Sequence, residues 1–282
     1  MARAHVPGLA GGAALNRAGA GARRSRRLAP EWLLGVPVRP VSLAAALDLA
    51  ERMIRERRRG YLCFTNVHVV MEARRSVAVR GALRDATAVC PDGMPLVWFL
   101  RWRGHHGQGR VYGPDFAAAM LSRAARSGLR VFLFGGRPET LARLGGLLPK
   151  RFPGIRLAGT FAPPFRARID AAAERAAVRR INAARPDLVF VGLGAPKQEL
   201  WMCRNRPRLR APVLAGVGAA FDFLAGTTPQ APRWMMRLGL EWVFRLATEP
   251  RRLAGRYLVN NPRFAALLAL QELGVIRDNG VS

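Results

Sequence analysis

The stretch from Pro186 to Glu199 is the feature that most constrains the fold. Leu188 to Val191 is a short run of apolar, β-suited residues, which predicts a buried parallel strand. Gly192 and Gly194 break the run, so the backbone can turn tightly and a ligand can come close. Pro196 suits the first turn of a helix, and the polar Lys197, Gln198 and Glu199 follow at once. A strand, a glycine turn and a helix start place backbone N–H groups and the positive end of a helix at the carboxyl edge of a sheet. In open α/β folds that edge binds ligands, often through phosphate. Such turns recur in any α/β chain. Three adjacent polar residues where one cap suffices set this one apart.

The elements around it alternate regularly. Strands are predicted at Trp32 to Val38, Tyr61 to Thr65, Ala86 to Cys90, Val131 to Phe134, Ile155 to Ala158 and Val213 to Val217. Helices are predicted from Ser42, a good N-cap, to about Arg58, then at Val69 to Leu83, Leu96 to Trp102, Asp115 to Ser127, Pro138 to Leu148, Ile169 to Ala184 and Glu199 to Asn205. The fold class is α/β, a doubly wound and mostly parallel sheet with glycine turns at strand ends. Residues 1–30, rich in Ala, Gly and Arg without periodicity, read as a disordered basic tail. Residues 31–230 read as the α/β domain and residues 231–282 as a C-terminal helical appendage. There Arg237, Glu241 and Arg245 keep a four-residue interval on one helical face, and Trp234, Leu238, Trp242 and Leu246 on another. An ordinary packed helix would share that spacing. The interleaving of tryptophans with arginines favours a basic amphipathic element on anionic lipid.

Composition restricts the partners. The net charge is +28, and among the 46 basic residues only Lys150 and Lys197 are lysines. Coding bias toward arginine is one source of that skew; attraction to nucleotide phosphates, an acidic membrane or nucleic acid is the other. Basic residues interleaved with aromatics are confined to the C-terminus, which argues against a nucleic-acid-binding body. Cys63, Cys90 and Cys203 are odd in number and far apart, against a disulfide framework or zinc site and in keeping with a reducing cytosol. His105 and His106 are adjacent with no carboxylate at ligand spacing, so no metal is expected there. No apolar run approaches the about 18–20 residues that span a bilayer, and the N-terminus lacks the apolar core of a signal peptide. A soluble or peripheral protein is expected. The turns Gly192-x-Gly194 and Gly216-x-Gly218 meet Lys197 and Phe221 where a dinucleotide fingerprint needs a third glycine, and no Gly-Lys-Ser/Thr loop is present. NAD binding and ATP hydrolysis therefore lose their main support.

A carboxylate beside a glycine at a strand's carboxyl end, as Asp92 is, stands where catalytic residues tend to stand; capping of the next helix is the alternative. Around it, in order, come Thr65-Asn66-Val67-His68, Pro91-Asp92-Gly93-Met94-Pro95, Arg110-Val111-Tyr112-Gly113-Pro114-Asp115, Gly135-Gly136, Pro163-Pro164-Phe165, Gly194-Ala195-Pro196-Lys197-Gln198-Glu199, Phe221-Asp222-Phe223, Gly239-Leu240-Glu241-Trp242, Glu249-Pro250-Arg251-Arg252 and Arg256-Tyr257. In these motifs the chain resembles the WecG/TagA/CpsF family of bacterial glycosyltransferases (glycosyltransferase family twenty-six), over about residues 35–260.

The resemblance implies inverting transfer of a sugar from a nucleotide donor to a polyprenyl-diphosphate-linked saccharide in envelope or exopolysaccharide synthesis, without metal or other cofactor. The donor it implies is usually a UDP-sugar of the N-acetylmannosamine or uronic acid kind. The setting is the inner, cytoplasmic face of the membrane, with the protein peripheral. It implies Asp92 as general base, Thr65 and Asn66 beside it near the acceptor, and Gln198 at the donor. It also brings Arg245, Arg251, Arg252 and Arg256 to the lipid diphosphate. Lys197, Gly194, Gly135, Gly136, Arg110 and Asp222 complete the expected substrate-binding set. Many members carry Thr-x-Asn where Thr65 and Asn66 are adjacent here, so Asn66 transfers more safely than Thr65. No Asp-x-Asp motif is present to hold a metal on a diphosphate. Arginines, Arg110 and those after residue 240 among them, and helix N-termini are the substitutes. A non-catalytic envelope scaffold is expected to have lost Asp92, Asn66 or Gln198; all three stand. Self-association through the apolar appendage is left open.

Overall fold

The structure, a computed structural model, describes residues 29–164 and 171–276. Most of the expected basic tail, Phe165 and the expected helix start at Ile169 lie outside the described residues. The strands are β1 (Glu31–Leu33), β2 (Val36–Val38), β3 (Gly60–Thr65), β4 (Ala88–Pro91), β5 (Arg130–Gly135), β6 (Arg156–Phe161), β7 (Leu188–Gly192) and β8 (Val213–Gly216). They form one eight-stranded sheet in the order β1-β2-β4-β3-β8-β7-β5-β6. Only the β1–β2 pair is antiparallel. The single strand expected over Trp32 to Val38 is in fact this hairpin. Leu34 and Gly35 take φ of 49° and 82°, the left-handed pair that a two-residue hairpin turn requires.

The helices are α1 (Leu43–Arg55), α2 (Val67–Arg75), α3 (Val77–Arg84), α4 (Met94–Trp102), α5 (Gly113–Ser127), α6 (Pro138–Arg151), α7 (Ala171–Ala184), α8 (Lys197–Asn205), α9 (Ala220–Ala225), α10 (Arg233–Arg237), α11 (Glu241–Thr248) and α12 (Pro250–Glu272). The one helix expected over Val69 to Leu83 is two. Ser76 leaves helical geometry at φ −133°, and its hydroxyl caps α3 by accepting the Val79 N–H.

Side chains alternate to the two faces of the sheet. Tyr61, Cys63, Val89, Phe132, Val189 and Leu214 join one core with α2, α3, α4, α7 and α8. Leu62, Phe64, Cys90, Val131, Phe190 and Ala215 join the other with α1, α5, α6 and α9. Burial on both faces is why the central strands read as continuous apolar runs.

The C-terminal segment is helical, as expected, over α10, α11 and α12. It is not one helix with an aromatic and a basic face, because α10 ends at Leu238 and Gly239 turns left-handed at φ 75°. A Cβ on Gly239 would stand 3.1 Å from the Met94 Cβ and 3.2 Å from the Trp98 ring, so the segment turns directly on α4. Nor does it hang off the body. Phe264 of α12 belongs to the core beneath α2, and the Gln271 amide ties α12 to the hairpin by accepting Leu34 N–H at 2.7 Å and donating to Trp32 O at 3.0 Å. Packing therefore continues across the boundary expected at residue 230.

Candidate active site

Asp92 follows the last residue of β4. Its N–H donates to Thr65 O of the neighbouring β3 at 2.8 Å, so it is aimed by the strand pair. One carboxylate oxygen, Oδ1, accepts from Arg110 Nη2 at 2.9 Å and Nε at 3.2 Å; Oδ2 accepts from the Gly113 N–H at 3.2 Å. Arg110 Nε also donates to the Asp92 main-chain oxygen. Gly113 opens α5, so that N–H is one a helix leaves unpaired, at the helix's positive end. Burial pushes the Asp92 carboxyl above the ordinary carboxylate range; Arg110 pulls it down and Glu241 pushes it up again. A buried carboxylate with raised proton affinity is suited to take a proton from a hydroxyl.

Both residues expected beside it stand next to Asp92, but their side chains are placed differently. Asn66 caps α2 through Oδ1, which accepts Val69 N–H at 3.4 Å, and its side chain lines a cleft of about 90 Å³ with His68, Gly93, Met94, Arg110, Trp242, Arg245 and Tyr257. Thr65 is fully buried, does not reach that cleft, and its hydroxyl has no hydrogen-bond partner among the described residues. The contact Thr65 makes with the site is through its carbonyl, which accepts the Asp92 N–H. Arg110 also differs from expectation. Its Nη1 donates to Glu241 Oε2 at 2.6 Å while the rest of the guanidinium holds Asp92. It bridges two carboxylates and is not a free cation awaiting a diphosphate.

The glycine turns form the other half of the sheet edge. Gly135 and Gly136 take φ of 102° and 75°, and a Cβ on Gly135 would stand 2.7 Å from the Gly192 carbonyl carbon and oxygen. Gly136 N–H donates to Gly192 O at 2.9 Å, closing the ends of β5 and β7 together over Phe221. Gly194, at φ 75°, has open space around its Cα, and exposed Lys197 starts α8. Asp222 on α9 accepts from Thr140 Oγ1 at 3.1 Å. Gln198, expected to touch the donor, is 2% exposed. Its Nε2 donates to Gly216 O at 3.0 Å and Glu199 Oε1 at 2.9 Å, and its Oε1 accepts Gly218 N–H at 3.0 Å. It braces the β7 and β8 turns from beneath.

Among the expected lipid-diphosphate arginines, Arg245 lines the cleft and Arg251 is exposed at the start of α12. Arg252 and Arg256 also stand on α12, but their side chains lie outside those described. Sequence reasoning gave no role to Glu241, Tyr112, His68 or Asn260. Asn260, buried on α12, accepts from Arg75 Nη2 at 2.8 Å and approaches His68 Nδ1 at 3.4 Å. The available signal was Glu241 itself, a carboxylate inside an arginine-rich segment.

The molecule is thus a doubly wound sheet with a buried carboxylate at one strand end and glycine turns at its neighbours, the architecture of an α/β enzyme. The chain belongs to the WecG/TagA/CpsF glycosyl transferase family, whose model matches residues 31–277, and it is a glycosyltransferase. Similar proteins include one from Bacillus spizizenii, 29% identical over 213 residues, covering 76% of this chain and 80% of that protein. Another, from Bacillus subtilis, is 27% identical over 243 residues, covering 86% and 92%. Both are named N-acetylglucosaminyldiphosphoundecaprenol N-acetyl-beta-D-mannosaminyltransferase.

Proposed function

We propose that the protein transfers an N-acetylmannosamine-type sugar, or its uronic acid, from a UDP donor to a polyprenyl-diphosphate-linked saccharide. The observation that carries the reading is the buried Asp92 carboxylate of raised proton affinity, held by Arg110, which itself lines a cleft with Asn66 and Arg245. Asp92 takes the acceptor hydroxyl's proton as that oxygen attacks the anomeric carbon. The bond to UDP breaks on the opposite face, and UDP leaves with the electron pair. One positioned base of this kind contributes about 10²–10⁴-fold. The donor's diphosphate belongs at the turns after β5 and β7, where Gly135, Gly136 and Gly194 let backbone come close and Lys197 adds charge. The names of the Bacillus proteins support an undecaprenyl-diphosphate acceptor. Exposed Trp98 and Trp102 on α4 and Trp234 and Trp242 nearby suit a protein that sits on the inner face of the cytoplasmic membrane. Among the described residues no helix is long and apolar enough to cross a membrane.

The test is transfer from UDP-N-acetylmannosamine, and from its uronic acid, to a synthetic lipid-diphosphate N-acetylglucosamine, alongside melting with UDP-, GDP- and CMP-sugars. A true donor at a hundred times its Kd adds about 2.7 kcal/mol and a visible rise in Tm. Stabilisation by GDP- or CMP-sugars alone, with no transfer from UDP-sugars, would refute the UDP assignment.

A further inference from the structure

The contact between Arg110 and Glu241 joins parts of the chain that are 131 positions apart. Arg110 lies on the loop before α5, within the α/β body; Glu241 is the first residue of α11, on the C-terminal segment. Both are largely buried, with side chains 17% and 13% exposed. The Arg110 guanidinium lies 4.0 Å over the Tyr112 ring, and the Tyr112 hydroxyl donates to the second Glu241 oxygen at 3.4 Å. Both Glu241 oxygens are thus held by the body, and the same arginine grips Asp92 from its other side. An arginine is a planar fork with donors fixed relative to one another, so anchoring one edge fixes what the other edge presents. Remove the anchor and Arg110 keeps Asp92 but is free to rotate about it.

We propose that Glu241 is a positioning residue for Asp92, delivered by the C-terminal helices: when α11 is seated, Glu241 locks Arg110 against the base and completes the transfer site. The inference rests on the reading of Asp92 as the base. It makes the C-terminal segment part of the catalytic assembly through one side chain as well as through its arginines. Electrostatics point the same way, because two carboxylates sharing one guanidinium leave Asp92 more basic than a private ion pair with Arg110 would. Among the described residues, the titratable and charged groups around this pair come from both parts of the chain. From the body come Arg110, Tyr112, the Cys90 thiol below and His68 across the cleft; from the C-terminal helices come Arg245 and Tyr257.

The test uses the full chain and compares kcat against pH, donor KM and Tm for the natural protein, Glu241→Gln, Glu241→Asp and Asp92→Asn. Glu241→Gln keeps the shape and removes the charge. It should lower kcat by about tenfold to a hundredfold through misplacement of the base, leave donor KM within about twofold, and move the acid limb of the kcat profile to lower pH. Glu241→Asp restores the charge, so its limb should return to the natural position with kcat partly recovered. If Glu241→Gln shows natural kcat, or loses kcat only in step with Tm while its acid limb stays put, Glu241 is packing and the proposal is wrong. If Asp92→Asn turns over normally, the base reading itself fails, whatever Glu241 does.

Discussion

In the role we propose for it Asp92 takes a proton, yet the structure surrounds it with donors that stabilise its charge. Burial resolves the tension, since desolvation outweighs the Arg110 and Gly113 contacts and leaves the carboxyl above its ordinary range. A base works only when ionised, so transfer should fall as pH drops through that raised value, and the acid limb of kcat should lie above the ordinary aspartate range. Asp92→Asn should bind donor normally and slow transfer at least about a hundredfold; a variant with near-natural kcat would exclude Asp92. Gln198 behaves differently. Its amide is spent on Gly216, Gly218 and Glu199, and Gln198→Ala removes the bonds it makes to the Gly216 carbonyl and Gly218 N–H at about 1–3 kcal/mol. The expected result is a lowered Tm, with donor KM rising only because the turn loosens. An unchanged Tm with a much higher KM would instead restore direct contact with the donor.

At the scale of elements, the β5 turn depends on its glycine more than on any side chain. Gly135→Ala would set a Cβ 2.7 Å from Gly192 backbone atoms at φ 102°, so β5 and β7 must part. The left-handed conformation alone costs about 1–3 kcal/mol. Gly194→Ala meets strain but no neighbour, so the first variant should lose more Tm and more UDP binding than the second; the reverse order would show that the β5 turn is not the tighter one. The same elements bear on metal. Among the described residues no three His, Cys, Asp or Glu are grouped as ligands, and Lys197 starts the helix after the β7 turn, where we propose the diphosphate. Transfer should persist in excess EDTA, and loss restored by Mn²⁺ or Mg²⁺ would overturn that expectation. Much of this architecture was legible in sequence. Buried parallel strands leave apolar runs, glycines mark turns, and Asp92 sits at a strand end. The breaks at Ser76 and Gly239 were harder to read. Helical spacing ran through both, while the interruptions came from a cap and from close approach to α4. The hydrogen-bond partners of Thr65, Gln198 and Arg110 were not legible at all, because where a side chain at a strand end, in a helix's first turn or on a loop points depends on partners distant in sequence.

For the whole molecule, the question is how an α/β body with no membrane-spanning helix among its described residues would meet the lipid-linked acceptor we propose. Met94, Pro95, Gly239 and Trp242 are among the residues lining the cleft, and Trp98, packed on Gly239, is half exposed. Trp102 stands one turn further along α4. Tryptophans favour the headgroup boundary, and each basic residue near an anionic surface adds about 1 kcal/mol. This face should rest on the membrane with the cleft opening downward, so that the diphosphate enters while the polyprenyl chain stays in lipid. Deleting residues 234–282 would be a poor test. It removes Phe264 from the core, and losing such a side chain costs about 3–5 kcal/mol, enough to confuse unfolding with release. Point variants of the full chain separate the two. Trp98→Ala with Trp102→Ala, and separately Arg245, Arg251, Arg252 and Arg256 all to Gln, should keep the natural Tm within a few degrees. The tryptophan pair should weaken sedimentation with vesicles whether or not anionic lipid is present. The arginine set should weaken it only on anionic vesicles and more so at low salt, where charges are least screened. Both should lower transfer to a long-chain acceptor. If both sets sediment and transfer as the natural protein does, this face is not the one turned to the membrane.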